Sequence, residues 1–236
     1  MKVVNEELFA VNPSTAWDVQ KKHIGHHKNR IIIVRNFFKN PLDVKLFAQS
    51  TEYASTLNGE YTNLPGFIHN IGIFRKILYQ PYLYICKHYF EGSNEVMKAP
   101  DHCRFTFQIY DIKEKCRFSS LYPHTDDMRY ASVLSLNEEG EYDGDNNGTA
   151  FYRSVETGEE YISYDKNYRA ARLQNATQAL INFDPAKIKY KEWDRYHVEP
   201  QEFNSLIVYE GNLWHSLYFE QEKWRTNRMT FNGFIR

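Results

Sequence analysis

Short runs of alternating apolar and polar residues recur in the second half of the chain, and this pattern constrains the fold more than any other feature. The runs lie at 105–110, 131–136, 149–153, 205–209 and 229–235. Because side chains of a strand point alternately to two faces, each run predicts a half-buried strand. Many short strands separated by turn residues indicate a mainly β protein with a double-sheet jelly roll core.

Most helical signals lie in the first hundred residues, and one further short helix is expected near 175–180. Asn40 and Pro41 are suited to a helix start, and the apolar spacing that follows predicts a helix over about 41–53. A second helix is expected between Ile73 and Phe90, kinked or split at Pro81. These helices would flank the β core and brace it.

The chain is long enough for one substantial core, and we expect a single domain over 1–236. In this interpretation residues 1–100 form a scaffold of helices and strand, and 101–236 form the jelly roll. The polar stretch 154–200 would be an insertion that covers the mouth of a pocket as a lid. The basic cluster at 21–28 is expected to be a solvated turn.

Bulk composition argues against several classes of partner. The formal net charge is −1, which gives no electrostatic reason to expect nucleic acid. No apolar run reaches the length of a membrane span, and the N-terminus lacks the pattern of a signal peptide. Three irregularly spaced cysteines do not form a disulfide framework, so we expect a cytoplasmic protein. The oligomeric state is left open.

The segment Pro123-His124-Thr125-Asp126-Asp127 carries the first candidate site. On an extended segment, His124 and Asp126 project to the same side, so both can bind one ion. A third ligand would come from His215, 91 residues later and just after the run 206–209. Two imidazoles and one carboxylate form the facial triad of non-haem iron oxygenases. The simpler alternative is a hydrogen-bonded His–Asp pair near a turn.

A fourth element, Arg228-Met229-Thr230, favours the metal interpretation. It lies thirteen residues beyond His215 on another alternating run. An arginine there could bind a dicarboxylate through a bidentate charge-assisted pair, with the Thr230 hydroxyl adding a hydrogen bond. Four elements in this order are difficult to attribute to chance.

The order His-x-Asp, distant His, Arg-x-Thr resembles that of the Fe(II)/2-oxoglutarate-dependent dioxygenases, and residues 103–236 resemble the prolyl 4-hydroxylase-like branch. The chain is also similar to an uncharacterised family of small proteins grouped as oxygenases, with the Pro-His-Thr-Asp-Asp motif. Further shared segments are 148–153, 204–208 and 215–216. Asn147-Gly148 departs from the Gly-Gly of that family in what we expect to be a loop.

The resemblance implies a double-stranded β-helix and a hydroxylase that uses Fe(II), 2-oxoglutarate and O₂. His124, Asp126 and His215 would bind iron, while Arg228, Thr230 and Tyr110 would bind 2-oxoglutarate. The expected reaction hydroxylates an unactivated C–H bond of a small molecule or an amino-acid or peptide substrate, with release of succinate and CO₂. A carboxylate at Asp126 favours hydroxylation over halogenation, since related halogenating enzymes have a small residue there.

Five residues beside the proposed site are candidates for substrate contacts, with surface ion pairs or edge packing as the alternative. They are Asp127, Arg129, Tyr130, Arg153 and Trp214. Two other functions stay open. One is a cupin-like metal-dependent enzyme that does not use 2-oxoglutarate, for which Arg228 and Thr230 would be incidental. The other is a catalytically inactive jelly roll that serves as a binding module.

Overall fold

Two antiparallel sheets and two helices make up the described part of the chain. The computed structural model describes residues 6–50, 54–55, 67–70, 75–90, 103–110, 112, 123–126, 128–145, 147–163 and 192–235. The helices are α1 (Pro41–Ser50) and α2 (Arg75–Tyr89). The strands are β1 (Asp18–Ile24), β2 (Asn29–Arg35), β3 (Ala54–Ser55), β4 (Phe67–Asn70), β5 (Cys103–Tyr110), β6 (Tyr130–Ser135), β7 (Asn147–Ser154), β8 (Trp193–Pro200), β9 (Leu206–Glu210), β10 (His215–Phe219) and β11 (Arg228–Ile235).

The order of the strands is that of a jelly roll. The large sheet runs β1-β2-β9-β6-β11-β5-β4-β3, and the small sheet runs β10-β7-β8. From β6 onward the chain passes between the sheets, with β6, β9 and β11 in the large one and β7, β8 and β10 in the small one. The protein is therefore mainly β, with a double-stranded β-helix core and flanking helices, as the sequence predicted.

The central strands of the large sheet are buried on both faces. Strand β11 shows how the residues are divided between these faces. Met229 and Phe231 pack into the core shared with the helices, where Phe231 stacks on Phe105 at 5.8 Å between ring centroids. The alternate residues Arg228 and Thr230 face a cavity between the sheets. Period-two alternation thus places an apolar core on one face and a polar site on the other.

Within the described part of the chain, the two helices match those predicted from the sequence. α1 begins at Pro41 as predicted and is described as far as Ser50, while residues 51–53 lie outside the described part. α2 continues through Pro81 without splitting, because its buried side chains on both sides of the proline, including Leu78 and Ile85, pack against the large sheet. Neither described helix has the length and apolar composition of a membrane-spanning segment.

Five of the described strands were missed, namely β1, β3, β4, β8 and β10. β8 occupies the end of the stretch 154–200, which was expected to be a polar lid, and it pairs with β7 in the small sheet. β1 includes the first half of the basic cluster at 21–28, so only residues 25–28 form the expected turn. β10 follows the second candidate histidine directly. Residues 164–191, which include the remainder of the proposed lid and the short helix expected near 175–180, lie outside the described part. The proposed division at residue 100 stays a prediction.

Candidate metal centre

The two candidate histidines face each other across a backbone bridge between the His124 segment and the start of β10. His124 N donates to His215 O, and His215 N donates to His124 O, each at 2.9 Å. This directly opposed pairing holds the two imidazoles together, with ring centroids 4.5 Å apart. Residues separated by 91 positions in the sequence therefore become neighbours through two backbone hydrogen bonds.

Asp126 is held beside them by the turn that follows β9. Its backbone N–H donates to Gly211 O at 2.7 Å. A side chain at Gly211 would collide with the carbonyl oxygen of Met128, so glycine permits this close approach. The Asp126 Oδ2 lies 3.3 Å from His215 Nε2, and one ligand atom from each of the three residues lies within 4.8 Å of the others.

The hydrogen bonding of His215 leaves the ring nitrogen that faces Asp126 available to a cation. Its Nδ1 lies 2.8 Å from Leu213 O, and because a carbonyl oxygen only accepts, Nδ1 carries a proton. The other ring nitrogen, Nε2, faces a carboxylate oxygen, and this contact requires a proton or a metal ion between the two atoms. The donor set therefore fits a divalent transition metal.

The pKa of Asp126 is consistent with a charged ligand. Burial alone would raise this pKa, but the His215 imidazole, followed by that of His124, outweighs burial and lowers it below the ordinary value. The carboxylate is therefore ionised at neutral pH. An anionic oxygen and two imidazole nitrogens then point toward one small space at the wall of the cavity.

Arg228 lies at the start of β11, directly opposite Tyr110 at the end of β5. It is 2% exposed, and no carboxylate forms an ion pair with it among the described residues. Burial lowers the pKa of the guanidinium from 12.5 to about 10. The group still carries its charge at neutral pH, so the described wall of the cavity contains a buried cation without an anionic partner.

Asn147 orients this guanidinium. Its Oδ1 accepts a hydrogen bond from Arg228 Nε at 3.0 Å, while its Nδ2 donates to Ser135 Oγ at 2.7 Å and to Gln201 O at 3.0 Å. The sequence had placed Asn147 in a loop, but it is the first residue of β7. The residue that departs from the resembled family thus contacts the proposed anchor directly.

A cavity of about 250 Å³ connects the histidines with Arg228 between the two sheets. Thr230 and Tyr110 also line it. The Thr230 Oγ1 is buried and has no hydrogen-bond partner among the described residues. The cavity therefore joins a set of metal-ligating atoms to a polar end that can receive an anion.

The structure does not bring the candidate substrate residues to the described wall of this cavity. Arg153 forms ion pairs with Glu160 at 2.5 Å and Asp194 at 3.1 Å, which is the alternative that the sequence left open. Trp214 is buried against Trp193, and the Arg129 guanidinium lies 5.9 Å from the ring centre of buried Tyr130. Asp127 lies outside the described residues.

Several polar residues of the cavity were not expected from the sequence. Tyr209 contacts the His215 ring at 4.8 Å between centroids, and burial, then the Asp126 carboxylate, raise its pKa well above the ordinary value. Its hydroxyl therefore keeps its proton. Gln108 and Asn232 also line the cavity. Both lie two positions from a predicted residue, Tyr110 or Thr230, so the period of the strand could have identified them.

Solved structures with a related fold include enzymes of the resembled group. A prolyl 4-hydroxylase from Phytophthora capsici is 8% identical, with a TM-score of 0.45; the match covers 87% of this chain and 58% of that one, less than two thirds of its length. A prolyl-4-hydroxylase from Pseudomonas putida is 13% identical, with a TM-score of 0.46 and coverage of 93% and 92%. HygX from Streptomyces hygroscopicus, with nickel and 2-oxoglutarate bound, is 7% identical, with a TM-score of 0.43 and coverage of 87% and 82%.

A search of curated proteins gave no match. The sequence profile of a family of unknown function, DUF6445, matches residues 15–235. Because this match spans nearly the whole chain, the protein belongs to the DUF6445 family.

Proposed function

We propose that the protein is an Fe(II)- and 2-oxoglutarate-dependent oxygenase that hydroxylates an unactivated C–H bond of a small molecule or an amino-acid or peptide substrate. One observation carries the proposal. A single cavity contains three convergent metal-ligating side chains and, at its other end, a buried arginine with no acidic partner among the described residues. A metal and a dianionic cosubstrate would satisfy both features together.

His124, Asp126 and His215 would hold the iron. Two imidazoles and a carboxylate on one side of the ion leave the opposite side open to other ligands. Bound there, iron supplies the dioxygen chemistry that couples decarboxylation of 2-oxoglutarate to oxidation of a substrate. The hydrogen bond from His215 Nδ1–H to Leu213 O keeps the imidazole in the tautomer that can bind the metal.

Arg228 would bind the distal carboxylate of 2-oxoglutarate. The guanidinium is already oriented by Asn147 and shielded by the ring of Tyr110, whose centre lies 5.8 Å from it. The unpaired Thr230 hydroxyl can donate a further hydrogen bond to the same carboxylate. Because these donors are already ordered and removed from water, binding costs little further conformational entropy or desolvation free energy. This favours a charge-assisted pair.

The walls of the cavity would exclude water from the reacting centre. Leu217 and Phe234 provide apolar surface beside the polar groups, and the Tyr209 ring packs against His215. The protonated Tyr209 hydroxyl can donate a hydrogen bond to an anionic group in the space between Asp126 and Arg228. These residues would hold the cosubstrate in one orientation while the substrate approaches the metal.

The test is anaerobic addition of Fe(II) and 2-oxoglutarate, followed by visible absorption and, in air, by succinate release. We expect a weak charge-transfer band that appears only with both components and disappears in His124→Ala. His23→Ala, at an exposed position of β1, is the matched control and should retain the band. Binding of iron without any response to 2-oxoglutarate would instead favour the cupin-like metal enzyme. Binding of neither would favour an inactive jelly roll.

A further inference from the structure

Two carboxamide side chains form a bonded pair on the cavity wall beside the proposed cosubstrate site. Asn232 lies on β11 and Gln108 on the neighbouring strand β5, and both side chains reach the cavity. The Asn232 Nδ2 donates to Gln108 Oε1 at 2.8 Å. This bond fixes the two amides relative to each other.

The pair leaves one acceptor and one donor group unused. Asn232 Oδ1 is buried and has no hydrogen-bond partner among the described residues. The bond that Gln108 Oε1 accepts leaves the Gln108 Nε2 group as the donor of the pair. If both amides were rotated, the roles would exchange, and one carbonyl oxygen and one N–H group would still be unused. A buried polar atom without a partner costs about 1–3 kcal/mol, so a ligand that supplies both partners gains from binding here.

The position of Asn232 separates it from the distal carboxylate site, while Gln108 lies directly opposite Thr230. Asn232 is four residues beyond Arg228, or about 13 Å along the strand. The carbon chain of a five-carbon dicarboxylate spans only roughly 5 Å. The last residue of β11, Ile235, pairs with Tyr130, which follows the candidate ligand Asp126 by four residues. Asn232 is nearer to this end of the strand than Arg228 is. Asn232 therefore lies toward the metal, where the primary substrate would approach, and its hydrogen bond holds the Gln108 amide beside it.

The surrounding wall is uncharged. Apart from the three candidate metal ligands and Arg228, every described residue that lines the cavity is neutral. A charged substrate group beside Asn232 would have no opposite charge to pair with in this part of the wall. A neutral group with a donor and an acceptor close together fits it better.

We propose that Gln108 and Asn232 recognise an uncharged amide group of the primary substrate, with one hydrogen bond accepted and one donated. This inference rests on the proposed function, since it requires a metal and 2-oxoglutarate in the same cavity. It narrows the substrate class from any small molecule or peptide to compounds that carry a carboxamide, a peptide N–H with its carbonyl, or a lactam near the oxidised carbon.

The test uses the protein loaded with Co(II) and 2-oxoglutarate, with the Zn(II) form as the diamagnetic reference. Paramagnetic relaxation of the methyl protons reports binding near the metal for four probes: N-methylacetamide, methyl acetate, ethanol and sodium acetate. We expect N-methylacetamide to bind at least fivefold more tightly than each of the other three. Relaxation of the methylene protons of 2-oxoglutarate reports, in the same samples, whether the metal site is loaded.

Two near-isosteric variants, Asn232→Leu and Gln108→Met, remove one amide each. Each should abolish the preference for N-methylacetamide, with about a tenfold loss of its affinity, while 2-oxoglutarate protons stay relaxed. Gln20→Met, which removes an exposed amide on β1, is the control and should retain the preference.

The outcomes separate the two proposals. Equal affinity for amide, ester and alcohol in the native protein, or a preference that survives in both variants, would overturn the amide inference and leave the oxygenase proposal standing. Loss of 2-oxoglutarate relaxation in both variants, but not in Gln20→Met, would assign the pair to the cosubstrate instead. Absence of that relaxation in the native protein would overturn both proposals.

Discussion

Replacing Arg228 with methionine is expected to stabilise the ligand-free protein and to remove its response to 2-oxoglutarate. Burial lowers the pKa of this guanidinium from 12.5 to about 10. Because the charged form is the one that burial disfavours, stability is reduced below pH 10 and recovers as pH rises toward 12.5. At about 1.4 kcal/mol per pKa unit, the charge costs roughly 3 kcal/mol at neutral pH.

The gain is partly offset by Asn147. Methionine has a similar length but donates no hydrogen bond, so Asn147 Oδ1 would lose the partner that lies 3.0 Å away. An unsatisfied buried acceptor costs about 1–3 kcal/mol. The expected net stabilisation is about 1 kcal/mol, which for a chain of this length corresponds to roughly 3 °C in Tm.

Thermal unfolding with Ni(II), with and without 2-oxoglutarate, measures both effects. The native protein should gain about 2.7 kcal/mol at a 2-oxoglutarate concentration of 100 times Kd, and Arg228→Met should gain nothing. Arg225→Met is the matched control, since Arg225 is exposed and pairs with Asp143, and it should respond to 2-oxoglutarate as the native protein does. A ligand-free Arg228→Met protein that is less stable than the native one, or one that responds normally to 2-oxoglutarate, would refute this reasoning.

Three further substitutions test other parts of the structure. Asn147→Ala should raise the Kd for 2-oxoglutarate about tenfold by calorimetry, with metal affinity unchanged, because it removes the hydrogen bond that orients Arg228. Gly211→Ala should weaken Ni(II) binding about 10- to 100-fold in a competition titration, because the new Cβ would collide with Met128 O and displace Asp126. Glu160→Gln should cost about 2–4 kcal/mol in urea unfolding at pH 7, because the buried carboxylate pairs with Arg153. Burial alone would raise the pKa of Glu160, but Arg153 and two backbone N–H groups outweigh it and lower the pKa, so this stabilisation should be lost as pH falls below 4.5 toward the folded value.

The parts of the site that follow strand period could be predicted from the sequence. Arg228 and Thr230 are two positions apart on an alternating run, and the structure places both on the cavity face of β11. His124 and Asp126 have the same two-residue spacing, and they lie on one side of their segment. The described part of this segment forms a single backbone bridge, at His124, and not a strand. Local spacing was sufficient because period two fixes the face on which a side chain lies.

Features that depend on distant partners could not be predicted in this way. The sequence of β8 resembles a polar insertion because it contains Glu199, an acidic residue that is buried in the fold. The charge of Glu199 is compensated by Lys22, which lies near the other end of the sequence and whose Nζ is 2.8 Å from Glu199 Oε1. Asn147 contacts Arg228 across 81 residues of sequence. Neither pairing leaves a local pattern, since each residue alone is typical of a solvated loop.

The claim on which the account depends is that His124, Asp126 and His215 hold one metal ion, and anomalous diffraction tests it directly. Crystals grown anaerobically with Fe(II) and 2-oxoglutarate should show one strong iron peak within about 2.0–2.3 Å of a ligand atom from each residue. We expect electron density for 2-oxoglutarate to extend from this peak to Arg228. A fully loaded crystal with no peak at this position, or with iron bound by other residues, would contradict the account.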